Sequence, residues 1–286
     1  MTTTNPQYRR RAVPAFAAAL ALGMFWCWPA QASPRKHRRV PMSQQPLPDR
    51  INALAQQLNG VQVIDAGAIP GEIQKLVLDS LSEWLNSDAA TEPSSKYPLD
   101  VRVRAQLETY FSKLHYPFFG KPAVFVRPWK GRELIGAGYT LGWSDFDRAN
   151  RVALFQRQAG KTTEAAVTQF VPGPTLHYAF LPPSPSGAFR FFVYGNRLGK
   201  SQPRMTAVLY SFDGSTLKEL WERQDLYDGK IDVTPETVTL RYLIEHEYVQ
   251  AVERNQLPPG HEAIYKVTPE GLALETEQVI PYKSVS

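Results

Sequence analysis

The chain of 286 residues is 43% hydrophobic, 12% aromatic and 21% charged, a balance that supports a folded core. It excludes a disordered chain, a collagen-like one and a polytopic membrane protein. The formal net charge of +5 belongs to the N-terminal end: three of the 32 basic residues precede Ser33, and Arg35, Lys36, Arg38 and Arg39 follow it, so beyond residue 39 there are 25 basic against 27 acidic residues. A nearly neutral body excludes the basic patch of a nucleic-acid-binding protein.

Residues 1–32 read as an export signal. Arg9, Arg10 and Arg11 form its positive end, Ala12 to Trp28 is apolar and uncharged, and Ala30-Gln31-Ala32 is a small-x-small cleavage site before Ser33. The arginine pair hints at a twin-arginine signal, but Ala12 and Val13 do not continue that pattern, and ordinary secretion is the reading taken. An uncleaved anchor is the alternative; the apolar run is at the short limit for a span and contains Pro14 and Gly23. Cys27, the only cysteine, follows Met24-Phe25-Trp26 rather than the small residues of a lipoprotein signal, so it leaves with the signal. The mature chain then has no disulfide, and packing alone must hold it.

Residues 33–48 form a basic linker with Pro34, Pro41, Pro46 and Pro48 and too few apolar residues to offset the entropy of ordering. A helical region is expected over 49–118. Asp49 caps a short helix with Ile51, Leu54, Ala55 and Leu58 on one face, stopped by Gly60. Pro70 and Gly71 open a second helix with Ile73, Leu76, Val77, Leu81, Trp84 and Leu85 at helical spacing. Residues 87–97 read as a polar loop. Pro98 begins a third helix, which buries Leu99, Val103, Leu107, Tyr110, Phe111 and Leu114 and ends before Pro117.

From Ala123 the hydrophobic period falls to two, and Gly, Pro, Asn and Asp punctuate about a dozen short runs, the pattern of an antiparallel β domain. The expectation is an α+β chain whose β domain covers 119–281, with a tail at 282–286. In the clearest strand Val238, Leu240, Tyr242 and Ile244 face one way, and Thr237, Thr239, Arg241 and Leu243 the other. Gly195 is read as the end of the apolar run Phe189 to Tyr194, and Asp213-Gly214 as a hairpin turn.

These hairpins repeat. Ala207 to Phe212, a turn, and Leu217 to Glu222 align with Glu262 to Val267, a turn, and Leu272 to Glu277, at an offset of 55 residues; a fainter copy begins at Ala153. Leu154, Leu209 and Ile264 are then equivalent, as are Phe155, Tyr210 and Tyr265. The middle copy, Leu209-Tyr210-Ser211-Phe212-Asp213-Gly214 followed by Leu217-Lys218-Glu219-Leu220-Trp221, resembles the blade repeat of quinoprotein-type β-propellers. The third copy has Thr268 and Thr276 in place of the aspartate and tryptophan, and the first has Gln158 and Ala166, so no cofactor is carried over. Three units are too few for an ordinary propeller, and the expectation is a partial propeller or one large twisted meander covered by helices.

The remaining motifs do not close. Gly195-Asn196-Arg197-Leu198-Gly199-Lys200-Ser201 has three residues between its glycines where a phosphate loop has four, and Pro203 follows. His246-Glu247 opens like a zinc-protease helix, but Gln250 stands where the second histidine belongs. If the strand through Val238 continues, His246 points into the core while Glu245 and Glu247 point away, with His261 nearby. Asp145, Asp147 and Asn150 lack the glycine and distal glutamate of a calcium loop. No metal and no cofactor is expected.

Two functions fit. One is a non-catalytic protein of the periplasm or extracellular space that binds an envelope protein or another exported ligand. The other is an exported hydrolase whose carboxylates converge from separate strands, with Glu245, Glu247, Asp225 and Asp228 as first candidates and raised pKa values as its mark.

Overall fold

The computed structural model describes residues 41–61, 65–92, 96–114, 119–142, 148–197 and 202–285. The expected signal, Cys27 and the basic run of the linker lie outside them, as do Asp145 and Asp147. Helical structure begins within the stretch read as linker. Met42–Gln44 is a single 3-10 turn, and helix α1 already runs over Leu47–Gln57. Pro46 stands at its N-cap; Asp49, expected there, lies in the first turn, where its carboxylate meets Lys113.

Helices α2 (Ile69–Leu85) and α4 (Leu99–Tyr110) follow the expected stripes, with Pro70 in the first turn of α2 and Pro98 at the N-cap of α4. The polar loop between them holds one further turn, α3 (Asp88–Thr91). Twelve strands are described after them, all paired antiparallel: β1 (Phe119–Trp129), β2 (Arg132–Gly142), β3 (Arg148–Gln158), β4 (Lys161–Val167), β5 (Val171–Pro172), β6 (His177–Leu181), β7 (Phe189–Arg197), β8 (Arg204–Phe212), β9 (Leu217–Val233), β10 (Thr237–Leu243), β11 (Gly260–Val267) and β12 (Leu272–Ile280).

They form two open sheets. The first has the order β1-β2-β3-β4 with β5 against β3, and the second runs β12-β11-β10-β9-β8-β7-β6 in sequence order. Among the described residues neither closes, and two sheets do not make a ring of blades. Residues 245–247, read as strand if the one through Val238 continued, instead open helix α5 (Glu245–Glu253), inserted between β10 and β11. Glu245 and Glu247 in its first turn suit the positive end of a helix, and the alternation of the strand stops at Leu243.

The layers explain each other. On one face of the first sheet Ile135, Ala137, Tyr139, Leu141, Ala153 and Phe155 pack with Ile51, Leu81, Val103, Leu107 and Phe111 of the helices. Each large side chain buried there contributes about 1.5–3 kcal/mol, so helices and sheet stabilise one shared core. The other face packs Phe125, Trp129, Leu134, Val152 and Leu154 on Phe189, Phe191, Val193, Val208, Tyr210 and Phe212 of the second sheet. β2 is covered on both sides, and its Gly136 and Gly138 let the layers close. A Cβ at Gly136 would lie 2.1 Å from the Phe125 ring, and one at Gly138 would lie 2.0 Å from the Tyr178 hydroxyl.

The second sheet curls, burying Phe192, Leu209, Val238, Leu240, Tyr242 and Tyr265 on its other face, with Trp221 partly buried against them. Arg190, buried in β7, ties the curl by donating to the carbonyls of Pro182 (2.9 Å) and Thr268 (2.6 Å). β7 continues through Gly195 to Arg197. The glycine marks a close approach rather than a strand end, because a Cβ there would meet the Thr175 carbonyl oxygen at 2.1 Å.

Three hairpins share one register. Leu154 pairs with Ala166 and Phe155 with Glu164; Leu209 pairs with Trp221 and Tyr210 with Glu219; Ile264 pairs with Thr276 and Tyr265 with Leu274. In each, one residue of the returning strand is bulged out: Ala165, Leu220 or Glu275.

Candidate functional site

The carboxylates expected from sequence lie around α5 and the bend of β9. Asp225 and Asp228 take positive φ angles of 58° and 46°, which aspartate tolerates better than most residues, and they mark where β9 departs from regular pairing. Asp225 accepts from Arg197 Nε at 2.9 Å, and the Asp228 amide donates to the Pro203 carbonyl at 2.8 Å. Glu245 accepts from Arg204 at 2.5 Å and from the Tyr227 hydroxyl at 2.7 Å. The hydrogen bond to Tyr227, followed by the nearby Glu245 and Asp225, raises the pKa of the Arg204 guanidinium. Glu245 and Asp225 therefore gather about one cation.

Glu247 lies apart from that group, with Oε2 2.6 Å from Nε2 of His261. His261 is buried, at 8% exposure, and its ring stacks on Tyr242 with centroids 5.7 Å apart. The Tyr242 hydroxyl donates to Glu277 and accepts from Arg223 at 3.0 Å. Burial first, and then the bond to Glu277, push that hydroxyl up to about 12. His246, expected in the core, is exposed on α5, and the carboxylate beside His261 comes from the next residue. Asn150, read as part of a calcium-like turn, is buried and accepts from Thr140 at 2.5 Å. Among the described residues no three His, Cys, Asp or Glu side chains group closely enough to hold a metal ion.

A second place was not foreseen. A slot lies between α4, β1 and β6 as two adjoining hollows of about 490 and 360 Å³. Along β1 it is lined from Lys121 to Arg127, on α4 by Asp100 and Arg104, and along β6 by His177, Tyr178 and Phe180. Among the described residues β1 pairs only with β2 and β6 only with β7, so each borders the slot as the edge strand of its sheet. The Tyr178 hydroxyl donates to the Ala123 carbonyl at 2.9 Å over Gly138, and Phe125 meets Tyr178 edge to face at 4.9 Å. Burial pushes the Tyr178 hydroxyl above the ordinary tyrosine range, against the pull of Arg104.

Among the described residues no ion pair involves Arg104, Lys121 or Arg127, and Arg104 Nε is buried without a hydrogen-bond partner. Arg127 stacks over the Phe180 ring at 4.6 Å, and His177 stacks on Tyr194 at 5.3 Å. Pro122 and Pro128 were the available sequence signal, since proline within a strand marks an edge. A wider groove of about 780 Å³ lies by the tips of the β1–β2 and β3–β4 hairpins, but there Arg157 is paired with Glu133 and Arg132 with Gln156.

No protein-family model matches the chain, and no curated protein matches it either. Among the described residues no helix is long and apolar enough to cross a membrane.

Proposed function

We propose that this is an exported, non-catalytic binding protein of the cell envelope, and that its ligand seat is the slot between β1 and β6. The observation that carries the reading is the set of unpaired cations beside an unpaired strand edge. Among the described residues Arg104, Lys121 and Arg127 make no ion pair, in contrast to Arg197 and Arg204 about α5 and Arg157 of the wider groove. Export rests on the sequence of residues 1–32 and on Ala30-Gln31-Ala32 before Ser33. The shared register of the three hairpins supports their reading as copies of one 55-residue unit, arranged in open sheets.

Native mass spectrometry of protein recovered from its own cell envelope tests this. A chain beginning at Ser33 with a specific ligand adduct, lost on Lys121→Gln, is the expected result. A mass retaining residues 1–32 refutes the cleaved signal, and an adduct unaffected by the substitution refutes the slot.

One observation favours a hydrolase as a second reading: Glu247 holds a buried imidazole, as an acid–base pair requires. Turnover of ester, glycoside or peptide substrates that is abolished by both His261→Gln and Glu247→Gln, with folding intact, would establish it.

A further inference from the structure

We propose that the occupant of the slot is an extended peptide segment bearing carboxylates, added to the free edge of β1 as a further strand of the first sheet. This rests on the binding reading above and names its ligand class. Beyond the bulge at Lys121–Pro122, the part of β1 that lines the slot, residues 123–127, would pair with a segment of equal length, about 17 Å at strand rise, in which the Ala123 carbonyl is already taken by Tyr178. A free edge offers backbone donors and acceptors, and an added strand uses them whatever its sequence. Selection must then come from side chains.

Side chains of an added strand alternate between the faces of the sheet, as those of β1 do. Val124 and Val126 of β1 pack with the helical core, and Phe125 packs on the second sheet. One set of the ligand's side chains therefore faces α4, where Arg104 has its unpartnered Nε; the other faces β6, where His177 lies and where Arg127 is held flat on Phe180. Among the described residues that line it, the slot sets a single acid, Asp100, against these and Lys121. Carboxylates at alternating positions fit this arrangement, and basic side chains are repelled. The far edge of the second sheet, β12, carries the exposed Glu275 and Glu277, the latter held by Tyr242 and Arg223.

The test is fluorescence anisotropy on the full chain with a labelled twelve-residue peptide of alternating Glu and Thr. Its controls are the same peptide with Gln for Glu, the same peptide with alternate backbone amides N-methylated, and dextran sulfate. The Glu peptide is expected to bind, and more weakly as salt rises. The Gln and N-methylated peptides, and the variants Lys121→Gln and Arg104→Gln/Arg127→Gln, should each weaken binding by about 10-fold or more, whereas Lys266→Gln should not. Lys121 is exposed, so its variant reads binding without disturbing the core.

Equal binding of the N-methylated peptide, or of dextran sulfate with the same sensitivity to the variants, overturns strand addition in favour of a general polyanion site. Failure of the Glu peptide, while the envelope adduct persists and is lost on Lys121→Gln, overturns the peptide and leaves the binding reading standing; absence of both refutes both. Concentration-dependent self-association in sedimentation, abolished by Lys121→Gln, also overturns the proposal, because the occupant is then the acidic β12 edge of a second copy.

Discussion

Gly138→Ala tests how the slot is built. The added Cβ would lie 2.0 Å from the Tyr178 hydroxyl, 2.3 Å from Leu176 Cδ2 and 2.8 Å from the Ala123 carbonyl oxygen. Two of these contacts are side-chain ends that can move, but the third is backbone of the strand that carries the slot. Overpacking of this kind costs about 1–3 kcal/mol. Moving Tyr178 also breaks its bond to Ala123, about 1 kcal/mol, and weakens its edge-to-face contact with Phe125, about 0.5–1.5 kcal/mol. The loss is about 2–5 kcal/mol, or a fall in melting temperature of about 5–15 °C for a domain of this size. Thermal unfolding followed by circular dichroism measures it. Gly71→Ala is the control: it lies in α2 with nothing within 4 Å of a new Cβ, and should stabilise by about 0.5–1 kcal/mol. If Gly138→Ala melts within about 1 °C of the parent, Tyr178 is not seated against that glycine, and the description of the slot wall is wrong.

Three further outcomes follow from the second sheet. Arg190→Met should destabilise by about 2–4 kcal/mol in denaturant titration, because it removes two charge-assisted bonds and leaves the Pro182 and Thr268 carbonyls without their partner. Glu219 has its carboxyl pKa raised by burial and then by Glu222, so its charge opposes folding at neutral pH and that penalty fades as pH falls through the raised value. Glu219→Gln should therefore stabilise at pH 7 by about 0.5 kcal/mol, solvent screening keeping the gain small, and by less in acid; an equal or larger gain in acid would reverse the sign of the argument. Asp213 shows the opposite case: the amides of Thr216 and Ser215 and the Ser215 hydroxyl lower its pKa. Its stabilisation is complete above the unfolded carboxylate pKa and is lost as pH falls through the folded one, so the melting-temperature gap between parent and Asp213→Asn should close as pH falls below that range.

The helices were legible because their apolar stripes face one sheet and prolines mark their starts: Ile73, Val77 and Leu81, or Val103 and Leu107, are buried as their spacing requires. β10 was equally clear, since Val238, Leu240 and Tyr242 are buried by neighbouring strands of a regular ladder. Misreading began where that ladder stopped. The alternation rule carried His246 into the core only by assuming that the strand continued, whereas two acids in a first turn and Ala251 on the buried side belong to a helix. The carboxylates around α5 were visible as residue types, but Asp225 meets Arg197 and Glu247 meets His261 across 28 and 14 residues of sequence. The slot was less legible still. Arg104, Lys121, Arg127 and His177 come from three elements, and only the prolines of β1 hinted that its edge was free.

The three hairpins separate what backbone register requires from what surroundings require. Their pairings and bulge coincide at an offset of 55 residues, yet the bulged residue is Ala165 where it packs toward the second sheet, Leu220 where the curl of that sheet covers it, and Glu275 on the exposed outer strand. The residue opposite Leu209 is Trp221, wedged edge-on between Phe192 and Tyr265; its counterparts are the half-buried Ala166 and the exposed Thr276. The tryptophan and aspartate that resemble a propeller blade thus coincide only in the middle hairpin, where Trp221 fills the curl of the sheet and Asp213 closes the turn through three hydrogen bonds. Both have local structural work that is independent of a cofactor. The differences among the three hairpins follow burial, and β1 and β12, edge strands of the two sheets, are left with opposite charge.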